Sequence, residues 1–376
     1  MNSATIHILQ DGAIGLLKKL IATPSFSREE DKTSEVLENF FREKNIPVKK
    51  HLYNVWALNK FFDSGKPTLL LNSHHDTVKP NSQYTRDPFK PFIEDARRDD
   101  LRLNDSVGQA VGWGKLYGLG SNDAGGSLVS LIAAFLYFYE KENLKYNLII
   151  AASAEEEISG PNGIEVLLKQ LGPVDCAIVG EPTQMQMAVA ERGLMVLDCM
   201  ARGKAGHAAR NEGENAIYKA IKDIGWFTSY KFPKVSELLG PVNMDVTVIE
   251  TDNKAHNVVP AQCKFVVDVR LNEFYTFEEV LATIKENIQS EAKPRSFRLR
   301  STSIALDHPL VKAGLNLGRT YYGSPTTSDK ALMFFPSLKM GPGDSGRSHS
   351  ADEYIYVDEI REGIDLYIKL LEKVIL

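Results

Sequence analysis

His74, Asp123, Glu157, Glu181 and His349 are residue types that bind divalent metal ions, and each stands at the end of an apolar run in this chain. Imidazole and carboxylate ligands without a thiolate suit zinc, with cobalt or manganese at similar sites. With Asp123 shared, each of two ions would receive one histidine, one terminal carboxylate and the bridge. Two ions about 3.5–4 Å apart can hold a water between them and bring its pKa to about 7, which is the chemistry of amide and ester hydrolysis.

The local contexts fit this reading to different degrees. In the run LLLNSHHDTV, His74 and Asp76 are two apart at a strand end, so both side chains face one way and one can hold a metal while the other orients it. His75 points to the opposite face. Asp123 follows LYGLGSN and precedes a helix starting near Gly126; helix capping is the ordinary alternative for an aspartate there. Gly118 and Gly120 hint at a dinucleotide fingerprint, but Asp123 occupies its third glycine position. Glu155, Glu156 and Glu157 close the strand NLIIAAS, where three adjacent carboxylates repel unless a cation or proton intervenes, although an exposed acidic turn would read the same. Glu181 ends the strand AIVG, at the carboxyl edge where open α/β sheets bind ligands. His349 follows the loop Gly341-Pro342-Gly343-Asp344-Ser345-Gly346, whose glycines let backbone pass close to a bound group.

The positioning elements follow from periodicity. SREEDKTSEVLENFFRE, residues 27–43, spaces Val36, Leu37, Phe40 and Phe41 as one helical face. Apolar strands then alternate with helices as far as Glu181, the pattern of a mostly parallel α/β sheet covered on both faces. Residues 184–302 change to long alternating strands and two helices in the order β-α-β-β-α-β, a ferredoxin-like unit inserted into the first domain. Residues 1–183 and 303–376 form the two parts of that first domain, and the chain closes on a helix with Ile360, Ile364, Ile368, Leu371 and Ile375 on one face.

At 376 residues the chain exceeds one ordinary core, which agrees with two domains. Its net charge of −5, with acids dispersed, argues against a nucleic-acid or anionic-membrane surface and for a small-molecule substrate. Cys176, Cys199 and Cys263 lie singly in apolar strands, as buried thiols of a reducing compartment do. The first residues lack a secretory pattern, and the most apolar window, residues 131–139, falls short of the ~20 residues of a membrane helix, so the expectation is a cytoplasmic protein.

The ordered set SHHD, LYGLGSNDAGG, AEEE, VGEPT, GKAGHAA, NVVP, DVR and SHSADEY resembles, over nearly the whole chain, the M20 family of metallopeptidases and deacylases. The resemblance implies a zinc-aminopeptidase-like catalytic domain with an inserted lid that pairs two subunits. It also implies one metal on His74, Asp123 and Glu181, the other on Asp123, Glu157 and His349, Glu156 as general base and Asp76 behind His74. By the same resemblance His207 polarises the scissile carbonyl, commonly in the partner subunit's site, while Asn257, Arg270 and Thr327 hold the substrate. The implied reaction is deacylation of an N-acyl amino acid, N-acetyl- or N-succinyl-ornithine of arginine biosynthesis, by two zinc or cobalt ions. A dipeptidase or carboxypeptidase of the same chemistry, a non-catalytic protein retaining the fold and a nucleotide-dependent oxidoreductase are the alternatives. A succinyl group would require a further cation, for which Arg192, Arg210 and Arg347 are candidates. Three departures from the family pattern, Ser73 for glycine, Gly125 for lysine and Glu155 for aspartate, touch neither the ligands nor the base.

Overall fold

The computed structural model of the protein describes residues 3–95, 102–103, 110–111, 114–210 and 212–376. Contacts divide the chain into one unit of Met1–Val189, Ile304–Tyr322 and Ser328–Leu376 and another of Ala190–Ser303 and Gly323–Thr327. The first unit begins with α1 (Ser3–Ile21), α2 (Asp31–Glu43), β1 (Val48–His51), β2 (Asn54–Leu58) and β3 (Thr68–His74). It continues with α3 (Gly126–Phe138), β4 (Asn147–Ser153), α4 (Ile164–Leu171), β5 (Cys176–Val179) and β6 (Met187–Glu191). Every residue of β3 and of β4 is buried, which is why both read as unbroken apolar runs rather than as alternation.

Helix α2 buries Leu37, Phe40 and Phe41 as the spacing predicts, but it begins at Asp31 and not at Ser27. The residues that could have started it are engaged elsewhere. Ser27 Oγ donates to Asp76 Oδ2 at 2.6 Å, and the Glu30 carboxylate accepts the Glu155 N–H at 3.0 Å. Tertiary bonds have displaced the local capping preference. Helix α1, with Gly12 and Gly15 inside it, has weak helix propensity and draws its stability from burying Ala13, Leu16, Leu17, Leu20 and Ile21.

The second unit contains β7 (Gly193–Arg202), α5 (Ala216–Ser229), β8 (Asn243–Thr251), β9 (Gln262–Leu271), α6 (Phe277–Asn287) and β10 (Glu291–Pro294). Its sheet has the order β8-β9-β7-β10 with all neighbours antiparallel, which together with the chain order is the ferredoxin-like topology. Strand β7 alternates, burying Met195, Leu197, Cys199 and Ala201 in one core with Phe227 of α5 and Val280 and Ile284 of α6. Thr276 and Glu279 form a reciprocal capping box at the start of α6.

Returning to the first unit, the chain forms α7 (Pro309–Asn316), β11 (Ser337–Lys339), β12 (Tyr354–Tyr356) and α8 (Val357–Ile375). Its sheet runs β1-β2-β4-β3-β5-β11-β6, with β4, β3, β5 and β11 mutually parallel and antiparallel strands on either side. Ile360, Ile364, Ile368, Leu371 and Ile375 of α8 are fully buried, each contributing roughly 1.5–3 kcal/mol of apolar burial. All three cysteines are buried free thiols on strands β5, β7 and β9. Among the described residues no helix is long and apolar enough to cross a membrane.

Candidate metal centre

The parallel strands β4, β3 and β5 deliver acids and imidazole from adjacent carboxyl ends. His74 is the last residue of β3 and pairs in register with Ser153, the last of β4, while Glu156 and Glu157 follow β4 and Glu181 follows β5. Asp123 lies in the turn Ser121–Gly125 that leads into α3, and that helix has no side-chain cap, so Asp123 is not there to cap it. His349 comes from the loop before β12.

These six side chains meet. His74 Nε2 lies 3.2 Å from Asp123 Oδ1 and 3.9 Å from both Glu156 Oε2 and Glu181 Oε1. The other oxygen of Asp123 is 3.7 Å from His349 Nε2, which is 2.9 Å from Glu157 Oε2. Ligand atoms of His74, Asp123 and Glu157 lie within 4.8 Å of one another, as do those of His74, Glu156 and Glu181.

The donor set fits cations. His74 Nδ1 is 3.0 Å from the carbonyl oxygen of Asp76, which can only accept, so Nδ1 carries the ring proton and Nε2 presents a lone pair. That lone pair faces carboxylate oxygens, an arrangement only a proton or a metal ion satisfies. Burial opposes a charged His74, yet Asp123, Asp76, Glu156 and Glu181 hold its pKa well above the usual value. Burial, with Glu181, Asp329 and Glu157 nearby, raises Glu156 well above the carboxylate range against the pull of His74. The hydrogen bond with Glu157 pushes His349 up to about 9.

Asp76 is fully buried, and its carboxylate lies 3.5 Å from His74 Nδ1, farther than its own carbonyl. Its shorter bonds come from the main-chain N–H of Glu156 at 3.0 Å and of Glu157 at 3.1 Å. His75 is buried on the opposite side, its Nδ1 3.0 Å from Thr33 Oγ1 and its Nε2 3.0 Å from the Tyr53 carbonyl, and burial lowers its pKa to about 4.

Each departure from the family pattern has a local reason. Ser73 Oγ donates to the carbonyl of Gly180, next to Glu181, at 2.7 Å. A Cβ on Gly125 would come within 2.4 Å of the Gly120 carbonyl oxygen, leaving no space for a side chain. The carboxylate of Glu155 turns to Asn162, accepting from its side chain at 2.9 Å. In the glycine-rich loop, Gly343 has φ +92° and packs against Asn122, so that loop approaches a neighbouring turn rather than open space.

Two acids near the cluster were given no role by the sequence, although Glu353 lies within SHSADEY. Asp329 is buried, its Oδ2 accepting from Asn72 Nδ2 and Ser153 Oγ at 2.9 and 2.5 Å. Glu353 is buried with its carboxylate on the Asp123 turn. Neither spacing nor residue type marks them, because their partners lie far away in sequence.

The remaining expected site residues are in the second unit. His207 is exposed, in a two-residue strand pairing with Val258, and its Nδ1 accepts the Ala209 N–H at 3.2 Å, which leaves the ring proton on Nε2. Asn257 is adjacent, its carbonyl accepting from Ala208 N at 3.0 Å. Arg270 is held by Asp268 through Nε at 2.7 Å, and its Nη1 is 3.4 Å from Thr327 Oγ1. Thr327 in turn donates to the carbonyl of Arg192 at 3.2 Å. Burial, and the neighbouring Arg270, lower the pKa of Arg192.

Comparison with known proteins agrees with this architecture. Residues 189–296 match the peptidase dimerisation domain of the M20 family. A succinyl-diaminopimelate desuccinylase from Rickettsia bellii is 23% identical, the match covering 94% of this chain and 95% of that protein. The aminopeptidase PepT from Bacillus cereus superposes with a TM-score of 0.74 at 19% identity, covering 97% of this chain and 98% of that one. The YXEP protein from Bacillus subtilis, described as a dinuclear metal binding peptidase of the M20 family, gives a TM-score of 0.67 at 14% identity and covers 98% of both chains. Residues 189–296 thus belong to the M20 peptidase dimerisation domain, and over its whole length the chain is similar to M20 enzymes, with the architecture of a metal-dependent hydrolase.

Proposed function

We propose that the protein hydrolyses the amide bond of an N-acyl amino acid, using two divalent ions, zinc first and cobalt as the alternative. His74, Asp123 and Glu181 would hold one ion, and Asp123, Glu157 and His349 the other. When bound, the pair supplies Lewis acidity toward the amide carbonyl and the attacking water. Glu156, whose carboxylate lies beside His74 in the cluster, takes a proton from that water and returns it to the leaving amine. His207, with its proton on Nε2, donates to the carbonyl oxygen as charge develops there. Asn257, Arg270 and Thr327 hold the substrate carboxylate. The second unit pairs two chains into a homodimer, and three unpaired buried thiols suit a cytoplasmic setting. The single observation that carries the reading is Asp123, with one carboxylate oxygen toward each imidazole.

For the acyl group we favour succinyl. Of the three candidate arginines, Arg347 is occupied by both oxygens of Glu359 and stacked on Tyr354 and Tyr356, and Arg210 is exposed in a short turn. Arg192, donating through Nε and Nη2 to the Leu239 carbonyl, lies beside Arg270, itself paired with Asp268, so positive charge gathers near Thr327, which suits an anionic acyl group. The expectation of an ornithine substrate in arginine biosynthesis gains nothing from the relatives, whose name points to succinyl-diaminopimelate instead. The test is a side-by-side assay of succinyl-diaminopimelate, succinyl-ornithine, acetyl-ornithine and acetyl-citrulline with the metal-loaded enzyme. Succinyl substrates should be turned over fastest; faster cleavage of unblocked dipeptides would move the reading to a peptidase.

A further inference from the structure

The turn that carries Asp123 and the loop that carries His349 are joined by two buried side chains that ligate nothing themselves. Glu353, four residues after His349, is 1% exposed. Its Oε1 accepts the main-chain N–H of Asn122 at 2.8 Å and of Asp123 at 2.9 Å, and its Oε2 that of Gly120 at 3.1 Å. Its own carbonyl accepts from Gly118 N at 3.0 Å. In the other direction, the fully buried Asn122 side chain donates to the Asp344 carbonyl at 3.0 Å and accepts the Asp344 N–H at 3.0 Å. From outside, Asp352 accepts the N–H groups of Thr85 and Arg86 at 2.9 and 3.0 Å, so the loop is held on both flanks.

We propose that Glu353 and Asn122 are positioning residues that fix the Asp123 turn against the His349 loop and thereby set the affinity of the second metal site, the one built from Asp123, Glu157 and His349. The inference rests on the two-ion reading above. Its physical basis is specificity of geometry. His349 is the most exposed of the six cluster side chains, 56% against 14% or less, so neighbours pack around it least and its place depends on the backbone that carries it. His74, at the other ion, ends a central strand and is 1% exposed, so its place depends on the sheet. A carboxylate is the one side chain that accepts three main-chain donors on both oxygens; an amide in its place turns an NH2 group toward at least one N–H. Groups that orient metal ligands typically change metal affinity by about 10–100-fold when replaced.

The test titrates zinc, and separately cobalt, into metal-free wild type, Glu353→Gln and Asn122→Ala by calorimetry, with the visible spectrum of the cobalt protein as a second readout. Asp223→Asn serves as the control, because Asp223 is a buried acid that accepts the N–H groups of Gln289 and Ser290 in the second unit, which supplies no proposed metal ligand. The expected result is that Glu353→Gln and Asn122→Ala weaken one of two binding events about 10–100-fold and leave the other within about twofold, with a changed cobalt spectrum at the second equivalent. Asp223→Asn should lower the melting temperature and leave both affinities as they were. Should Glu353→Gln fail to fold, Asn122→Ala carries the same comparison. Two ions bound with wild-type affinities by a folded variant, or equal weakening of both, would overturn the proposal. A wild-type protein that binds fewer than two ions would overturn the two-ion reading instead.

Discussion

Asp76 Oδ1 accepts the main-chain N–H of Glu156 at 3.0 Å, joining the end of β3 to the proposed general base on the turn after β4. The other oxygen accepts from Glu157 and from Ser27, so one buried carboxylate orders the base and a ligand together, while the Asp76 carbonyl holds His74. Asp76→Asn would turn an NH2 group toward at least one of these donors. The expected outcome is a loss of about 10–100-fold in metal affinity or kcat. The destabilisation should be about 1–3 kcal/mol, the usual effect of leaving a buried partner unsatisfied. Calorimetric metal titration and a urea melt measure the two effects; wild-type values in both would remove Asp76 from the account.

Glu156 is the one cluster carboxylate assigned no metal. Glu156→Gln should therefore retain the metal content of the wild type while kcat falls by about 10²–10⁴, the ordinary contribution of a positioned acid and base. Single-turnover kinetics with parallel elemental analysis check this. A variant that loses its metal would show Glu156 to be a ligand, and one with wild-type turnover would show that another group takes the proton.

With Nδ1 accepting the Ala209 N–H, His207 is placed to donate a hydrogen bond through Nε2. His207→Ala should lower kcat by about 10²–10³ and leave KM within a few fold, since the bond matters when the oxyanion forms. Mixing His207→Ala with Glu156→Ala chains tests where the residue acts. Recovery of activity in mixed dimers means that each site borrows His207 from the partner subunit, and no recovery means that it acts within its own chain.

His75 supplies a pH dependence whose sign is fixed. Burial lowers its folded pKa to about 4, below the value near 6.5 of an exposed histidine, against the upward pull of Asp76 and of the bond to the Tyr53 carbonyl. Stability from this group is complete above the unfolded value and is lost as the pH falls from there toward the folded one, with a slope of at most about 1.4 kcal/mol per pH unit. His75→Gln, which can still donate to one neighbour and accept from the other, should flatten the loss of stability between pH 7 and pH 5 in urea unfolding. An unchanged slope would assign the acid sensitivity to the carboxylates.

What the sequence made legible was set by periodicity and strand ends. The unbroken run before His74 and the alternation of β7 each permit one burial pattern, and the structure has it. The β-α-β-β-α-β order led directly to the sheet order of the second unit. The first turn of α2 was misread because Ser27 and Glu30 bond to Asp76 and Glu155, contacts that no window of neighbouring residues reveals. Helix α1 was not anticipated, its glycines obscuring an apolar face that only packing rewards. Glu353 and Asp329 stayed hidden for the same reason, since a buried acid held by Asn122 or Asn72 looks in sequence like any surface carboxylate.

Five side chains from five separate segments, His74, Asp123, Glu157, Glu181 and His349, would hold two cations with Asp123 between them. The most direct measurement is the zinc stoichiometry of the metal-free protein, taken for the wild type and for Asp123→Ala. Two ions per wild-type chain are expected, and at most one, weakly held, in the variant. A wild type that takes up no zinc, or an Asp123→Ala protein that still binds two ions tightly, would contradict that arrangement.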